Sequence, residues 1–282
     1  MIPYPNISPE IFRIGPFAVR WYGLMYAVGF ASSFILVRHQ LRITSAQPKG
    51  KGQAKEARAP VPEAFLESLY TYLVFGLILG ARLGYVLFYD LSSYVQNPLE
   101  IFAVWHGGMS FHGGLVGTLL AGFLCCRKYR VNFWFAADLV IVTAPIGLAA
   151  GRLGNFINGE LFGRVTDVPW AMVFPAGGPL PRHPSQLYEF FLEGVLLFTI
   201  LWIAKDRKHA PGMMVALFLI LYGLFRFIVE FFRQPDVQLG FVLGPFTMGQ
   251  ILSVLTSLAG IALFFFLKRK TTLSETIDKK AK

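Results

Sequence analysis

Seven apolar runs, each long enough to cross a lipid bilayer, constrain this chain more than any other feature. A helix needs roughly 20 apolar residues to span a ~30 Å hydrocarbon core. Runs of that kind fall at about 17–37, 66–89, 109–126, 134–157, 186–204, 212–232 and 247–267. Composition agrees, with 55% hydrophobic and 15% charged residues where a soluble domain carries about 25% charged. The expectation is an all-α, polytopic membrane protein forming one integral domain over residues 1–282, with a small extracytoplasmic cap around 158–185. The third and fifth runs are short enough to be tilted or re-entrant.

The net charge of +10 is a signal of topology rather than of nucleic-acid binding. Basic residues concentrate in four places: Arg38, Arg42, Lys49, Lys51, Lys55 and Arg58; Arg127, Lys128 and Arg130; Lys205, Arg207 and Lys208; and Lys268, Arg269, Lys270, Lys279, Lys280 and Lys282. With seven spans all four lie on one side, which the positive-inside rule makes cytoplasmic, placing the N-terminus outside and the C-terminus inside. The polar stretch 38–63 then reads as a mobile cytoplasmic loop. No basic n-region precedes the first run, so it is expected to be retained. The adjacent Cys125 and Cys126 suggest neither a disulfide framework nor a metal cluster and read as packing residues.

The eight remaining basic residues are all arginines: Arg13, Arg20, Arg82, Arg152, Arg164, Arg182, Arg226 and Arg233. Arginine keeps its charge when desolvated and grips carboxylate or phosphate with a planar fork. Arg13 and Arg20 are explained by snorkelling at the interface; the others suggest an anionic ligand on the outer side. The small-residue repeats Gly76/Gly80/Gly84, Gly113/Gly117 and Gly147/Gly151 are explained by close helix packing in lipid.

Ionisable residues at membrane depth are costly and mark function by default. They gather in stretches that the topology brings to one face. In WYGLMY (21–26), Tyr22 and Tyr26 share a helix face, as interfacial belt residues also do. In WHGGMSFHGGLVG (105–117), His112 is a candidate for proton transfer, whereas His106 reads as loop. No further Cys, His or carboxylate lies at ligand spacing, so neither a metal nor another cofactor is expected. In GRLGNFINGELFGR (151–164), Arg152, Asn155, Asn158, Glu160 and Arg164 crowd four glycines that make an uninterrupted helix improbable on composition. In YGLFRFIVEFFRQPD (222–236), Tyr222, Arg226, Glu230 and Arg233 form one stripe of an apolar helix. That stripe has two arginines and one carboxylate, which leaves a positive charge over for a ligand.

Together with PRHPSQLYE (181–189), and with GGMSFHGGLVG (107–117) carrying the third motif, these stretches resemble the prolipoprotein diacylglyceryl transferase family, in order, from about residue 10 to 267. The resemblance implies a seven-helix inner-membrane enzyme with its site open to the periplasm. Such an enzyme moves the diacylglyceryl group of phosphatidylglycerol onto the thiol of a lipobox cysteine in a prolipoprotein and releases glycerol 1-phosphate. It places Arg152 in the signature that binds phosphatidylglycerol. His112, Tyr22, Asn155, Glu160, Gly163, Tyr222, Arg226, Glu230 and Arg233 occupy positions the family treats as functional; His106 does not. His112 and Glu230 are both candidates for the group that takes the thiol proton.

Two other classes fit parts of the pattern. A transporter of lipids or anionic solutes would be expected to show repeat halves, which the sequence lacks. A metal-dependent phosphatidyltransferase would need clustered aspartates, and the spans offer one, Asp138.

Overall fold

The computed structural model describes residues 1–5, 7–15, 17–46, 61–207, 209–235 and 241–280. In chain order its elements are β1 (Glu10–Ile14), β2 (Phe17–Arg20), α1 (Trp21–Ala46), α2 (Glu63–Phe88), α3 (Leu91–Gln96), α4 (Phe111–Tyr129), α5 (Phe133–Ile141), α6 (Ala144–Asn158), α7 (Ser185–Glu189), α8 (Leu197–Ala204), α9 (Met213–Glu230), β3 (Phe241–Leu243), β4 (Phe246–Thr247) and α10 (Met248–Lys280). A π-helical segment, Phe190–Leu196, joins α7 to α8. The chain is mostly helical but not strictly all-α, because β1 with β2 and β3 with β4 each form a small antiparallel pair. The expected loop 38–63 differs at its start, where residues 38–46 continue α1, and its centre, with Lys49, Lys51, Lys55 and Arg58, lies outside the described residues, as do Lys208, Asp236 and Lys282.

Among the described residues four helices are long and apolar enough to cross a membrane: Glu63–Phe88, Ser185–Ala204, Met213–Glu230 and Met248–Lys270. The expected span 134–157 is two helices, α5 and α6, bent by 42° where Val142 and Thr143 break the run. Pro145 explains the break: it lacks a backbone N–H and sits in the first turn of α6. The remaining expected spans, 17–37 and 109–126, fall on α1 and α4, helices of 26 and 19 residues. Their apolarity is lower. Arg38, His39, Gln40 and Arg42 polarise the end of α1, and His112, four glycines, Arg127 and Lys128 dilute α4.

The chain divides into two compact units. In the unit Arg38–Ala136, α2 and α4 meet glycine on glycine. A Cβ on Gly76 would collide with Ala121 and Gly117, one on Gly80 with Gly113 and Gly117, and one on Gly84 with Gly113. Contact this close between backbones admits no side chain, which is the small-residue packing read from the sequence. Ser110 caps α4 by accepting the Gly113 N–H at 3.2 Å. Arg82, almost wholly buried, has a structural task in this unit. It donates to the carbonyls of Ile101 (2.9 Å), Gly107 (2.5 Å), Gly108 (3.1 Å), Ala103 (3.2 Å) and Glu100, and so fastens the loop between α3 and α4. Cys125 and Cys126 are buried and unbridged, as packing residues should be.

The other unit comprises Met1–Val37 and Ala137–Lys282. Asp138 on α5 accepts the N–H of Gly212 (2.7 Å) and of Val215 (3.1 Å), capping α9 from a different helix. Ser33 of α1 and Thr143 form a buried hydroxyl pair at 2.6 Å. α6 runs unbroken through Gly151 and Gly154, so two of the four glycines in 151–164 are helical. Gly159, at φ 68°, then ends the helix in a left-handed cap.

The segment 158–185 folds on short bridges between Gly163 and Arg233, Val165 and Arg182, and Met172 and Arg182. Phe156, Met172 and Phe174 form its apolar centre with Tyr4, Phe162 and Leu187. Burial pushes the Tyr4 phenol up, and its hydroxyl donates to Phe156 O at 2.7 Å.

Candidate active site

Three arginines and three glutamates form a buried ionic cluster at the junction of α6, α7, the π segment and α9. Arg152 comes from α6, Glu189 ends α7, Glu193 belongs to the π segment, and Arg226 and Glu230 are one turn apart on α9. Glu189 Oε2 is shared: it pairs with Arg152 Nε and, at 3.0 Å, with Arg226 Nη1. Glu193 reaches Arg226 Nη1 at 3.6 Å and Arg152 Nη2 at 4.0 Å. Arg226 Nη2 pairs with Glu230 Oε2 at 3.1 Å, and Arg233 joins the same oxygen at 3.8 Å.

Local structure explains how the carboxylates converge. Glu189 and Glu193 are four apart, and the i→i+5 bonding of a π segment widens the turn to more than four residues. Positions four apart therefore lie almost one above the other and present both carboxylates to the same neighbours. Both glutamates are 0% exposed. Glu230 is held on both oxygens, since its Oε1 accepts the Thr247 hydroxyl at 3.0 Å. Gly249 leaves the room it needs: a Cβ there would lie 2.6 Å from the Glu230 carboxyl.

A polar shelf adjoins the cluster. Arg152 Nη1 donates to Asn155 Oδ1 at 3.4 Å, and Asn155 and Asn158 donate to Glu160 Oε1 at 2.9 and 3.1 Å. Gln186 donates to Glu160 O at 2.6 Å. Gly163 is a close-approach position, because a Cβ would strike Phe232 O and lie 2.7 Å from His183 Cβ. Arg164 donates to Arg233 O (2.9 Å) and Glu230 O (3.4 Å). Arg182 holds Gly177 O (2.9 Å), Gly163 O (3.3 Å) and Gln234 Oε1 (3.2 Å). Both tie the segment 158–185 to the end of α9. His183, whose pKa burial lowers, meets the Tyr188 hydroxyl at 3.0 Å.

Among the residues singled out from sequence, Arg152, Asn155, Glu160, Arg226, Glu230 and Arg233 come together in this region. Gly163 bridges to Arg233, and Tyr222 stands one turn before Arg226, stacked on Phe218 at 5.5 Å. Tyr22 lies against Gly154 on α6, and its hydroxyl is 3.5 Å from that of Tyr26, so the two tyrosines do share a face. His112 belongs to the other unit, exposed in the first turn of α4. His106 pairs at the surface with Glu100 at 2.9 Å.

The extra arginine of the α9 stripe is not left over as expected: among the described residues the cluster sets three carboxylates against three arginines. Glu189 and Glu193 balance the arginines, and the sequence reading passed over both. The signal was available, since two acidic residues four apart interrupt an otherwise apolar run at membrane depth.

The fold and the cluster define a multi-pass membrane protein with an arginine–glutamate site buried among its helices. Residues 9–266 match the family described as Prolipoprotein diacylglyceryl transferase, and the chain belongs to that family. It is 52% identical to the phosphatidylglycerol–prolipoprotein diacylglyceryl transferase of Bordetella bronchiseptica, covering 95% of this chain and 98% of that one. The enzyme of the same name from Desulfotalea psychrophila is 50% identical, covering 93% and 94%. That of Geobacter sulfurreducens is 49% identical, covering 95% and 98%.

Proposed function

We propose that this chain transfers the diacylglyceryl group of phosphatidylglycerol to the thiol of a lipobox cysteine in prolipoproteins, releasing glycerol 1-phosphate. The sulfur attacks the glyceryl carbon, the carbon–oxygen bond to phosphate breaks, and its electron pair stays on the phosphate oxygen. The thiol gives up its proton, so the products are a thioether and a phosphate monoester. The observation that carries this reading is the shared Glu189 oxygen, which sets the guanidiniums of Arg152 and Arg226 side by side although they come from different helices. Two adjacent forks suit a phosphodiester, and they stabilise the charge that grows on the leaving oxygen more than the ground state. The purified chain in vesicles should release glycerol 1-phosphate from phosphatidylglycerol when a lipobox peptide is added, with a chelator present. Phosphatidylethanolamine should be a poor donor. A strict demand for a divalent metal would contradict the proposal.

Arg152, Asn155, Glu160, Gly163, Tyr22, Tyr222 and Arg233 are proposed to bind or frame the donor. Both Glu230 oxygens are engaged, Oε2 by Arg226 and Arg233 and Oε1 by Thr247, which suits it to holding Arg226. We propose His112 and Glu230 as the two candidates for taking the thiol proton. His112→Gln should slow transfer near neutral pH while keeping donor binding. The deficit should shrink as pH rises, because more of the thiol ionises unaided. An equal deficit at every pH would remove His112 from that role.

The proposed setting is a bacterial inner membrane crossed seven times, α1 and α4 included, with the N-terminus periplasmic, the C-terminus cytoplasmic and 158–185 as an outer cap. In a variant with Cys125 and Cys126 replaced by alanine, Ala176→Cys should react with an impermeant maleimide from outside. Asp206→Cys should not. Reversed labelling would overturn the orientation.

A further inference from the structure

We propose that Glu189 and Glu193 are positioning residues for this transfer: they fix the guanidiniums of Arg152 and Arg226 and compete with the donor phosphate for them. The inference rests on the reaction proposed above and adds to it a competition between these two carboxylates and the donor phosphate. Burying a carboxylate costs several kcal/mol, and a buried ion pair is often no better for stability than well-packed apolar side chains. Two such carboxylates, both wholly buried, one ending α7 and one in the π segment that follows it, are therefore poorly explained as stabilisers alone. Their neighbours are the two arginines that converge from α6 and α9. The network is also under-satisfied. Both oxygens of each glutamate, Gln186 Oε1 and Arg226 Nη1 are buried without a hydrogen bond that meets normal geometry, beyond the ion pairs themselves. Gln186, Glu189 and Glu193 are spaced i, i+3, i+7, so their side chains project from one side of the helix and meet Arg226 of α9 there.

The consequence is a ground-state affinity deliberately held down. Three carboxylates already match the three arginines, so a phosphodiester can engage Arg152 and Arg226 only by sharing or displacing the Glu189 and Glu193 contacts. Replacing Glu189 by glutamine keeps the volume, removes the competing anion and frees both forks to turn. The donor should then bind more tightly and react more slowly. Tighter ground-state binding with poorer transition-state alignment lowers KM and kcat together. A purely structural role predicts something else: less active protein, with KM unchanged.

The test is steady-state kinetics of the purified parent, Glu189→Gln, Glu189→Asp and Glu193→Gln, with phosphatidylglycerol varied in phosphatidylethanolamine vesicles and a lipobox peptide as acceptor. For Glu189→Gln we expect kcat down about tenfold and KM for phosphatidylglycerol down about threefold, with glycerol 1-phosphate a correspondingly stronger inhibitor. Glu189→Asp, which keeps the charge, should recover part of kcat. Glu193→Gln, whose carboxylate stands further from both arginines, should shift both constants the same way by less. It carries the test alone if Glu189→Gln does not fold. Folded glutamine variants with the parent's kcat and KM, or with reduced kcat at unchanged KM, would overturn the inference. A parent that transfers nothing from phosphatidylglycerol would overturn the underlying reaction instead.

Discussion

Arg152→Lys and Arg226→Lys should each turn over at least about tenfold more slowly than the parent, the effect of ~1.4 kcal/mol of lost transition-state stabilisation. Lysine keeps the charge but offers one compact ammonium in place of a planar fork, so it cannot hold two phosphate oxygens while the ester bond lengthens. At Arg226 the loss is compounded within the protein. One nitrogen faces Glu189 and Glu193 and the other faces Glu230, so a single ammonium must abandon part of that set. Alanine should be worse at both positions, and Arg226→Ala should also cost about 3 kcal/mol or more of stability by leaving buried carboxylates unpaired. Adding Glu230→Gln to Arg226→Ala should recover folded protein without activity. Turnover assays beside a thermal unfolding series separate the two effects. Well-folded lysine variants that turn over like the parent would show that charge alone suffices.

Gly80→Leu should disrupt the unit built on α2 and α4. A Cβ at Gly80 would already lie 2.7 Å from Gly117 Cα and would strike Gly113 O, both rigid backbone atoms. The helices must separate to admit it, giving up the contact along the whole glycine seam. Overpacking usually costs about 1–3 kcal/mol, and a leucine driven between two backbones belongs at or above the top of that range. Gly147→Ala is the matched control. Its Cβ would meet nothing within 4 Å, so it should be neutral or slightly stabilising through helix propensity. Detergent unfolding of the two variants makes the comparison; equal stabilities would contradict the seam.

Helices were legible in the sequence where the signal is solvent preference. The runs that became α2, α9 and α10 are predominantly apolar, which is what lipid demands of a spanning helix. The glycine seam was legible too, since only small residues at four-residue spacing allow helix backbones to touch. Less could be read where structure depends on the backbone. The arginines look alike in sequence, yet Arg82 and Arg182 fasten loop carbonyls while Arg152 and Arg226 face carboxylates. Carbonyl groups are everywhere in a chain, so nothing in composition distinguishes the two uses. The π segment has no residue signature either, so the widened turn between Glu189 and Glu193 could not be read from their spacing. The bend before α6 did leave a mark in Pro145, but a proline in the first turn of a helix and one inside a span read the same until the break is seen.

In the proposed reaction a thiol ends up carrying diacylglycerol. The direct measurement is the mass of a lipobox peptide after incubation with the purified chain and phosphatidylglycerol of a single acyl composition. The expected result is a gain equal to one diacylglyceryl group, attached through the cysteine sulfur and absent from a peptide with serine in its place. An unmodified peptide beside active, folded protein, or a gain equal to a single acyl chain or a phosphatidyl group, would contradict it.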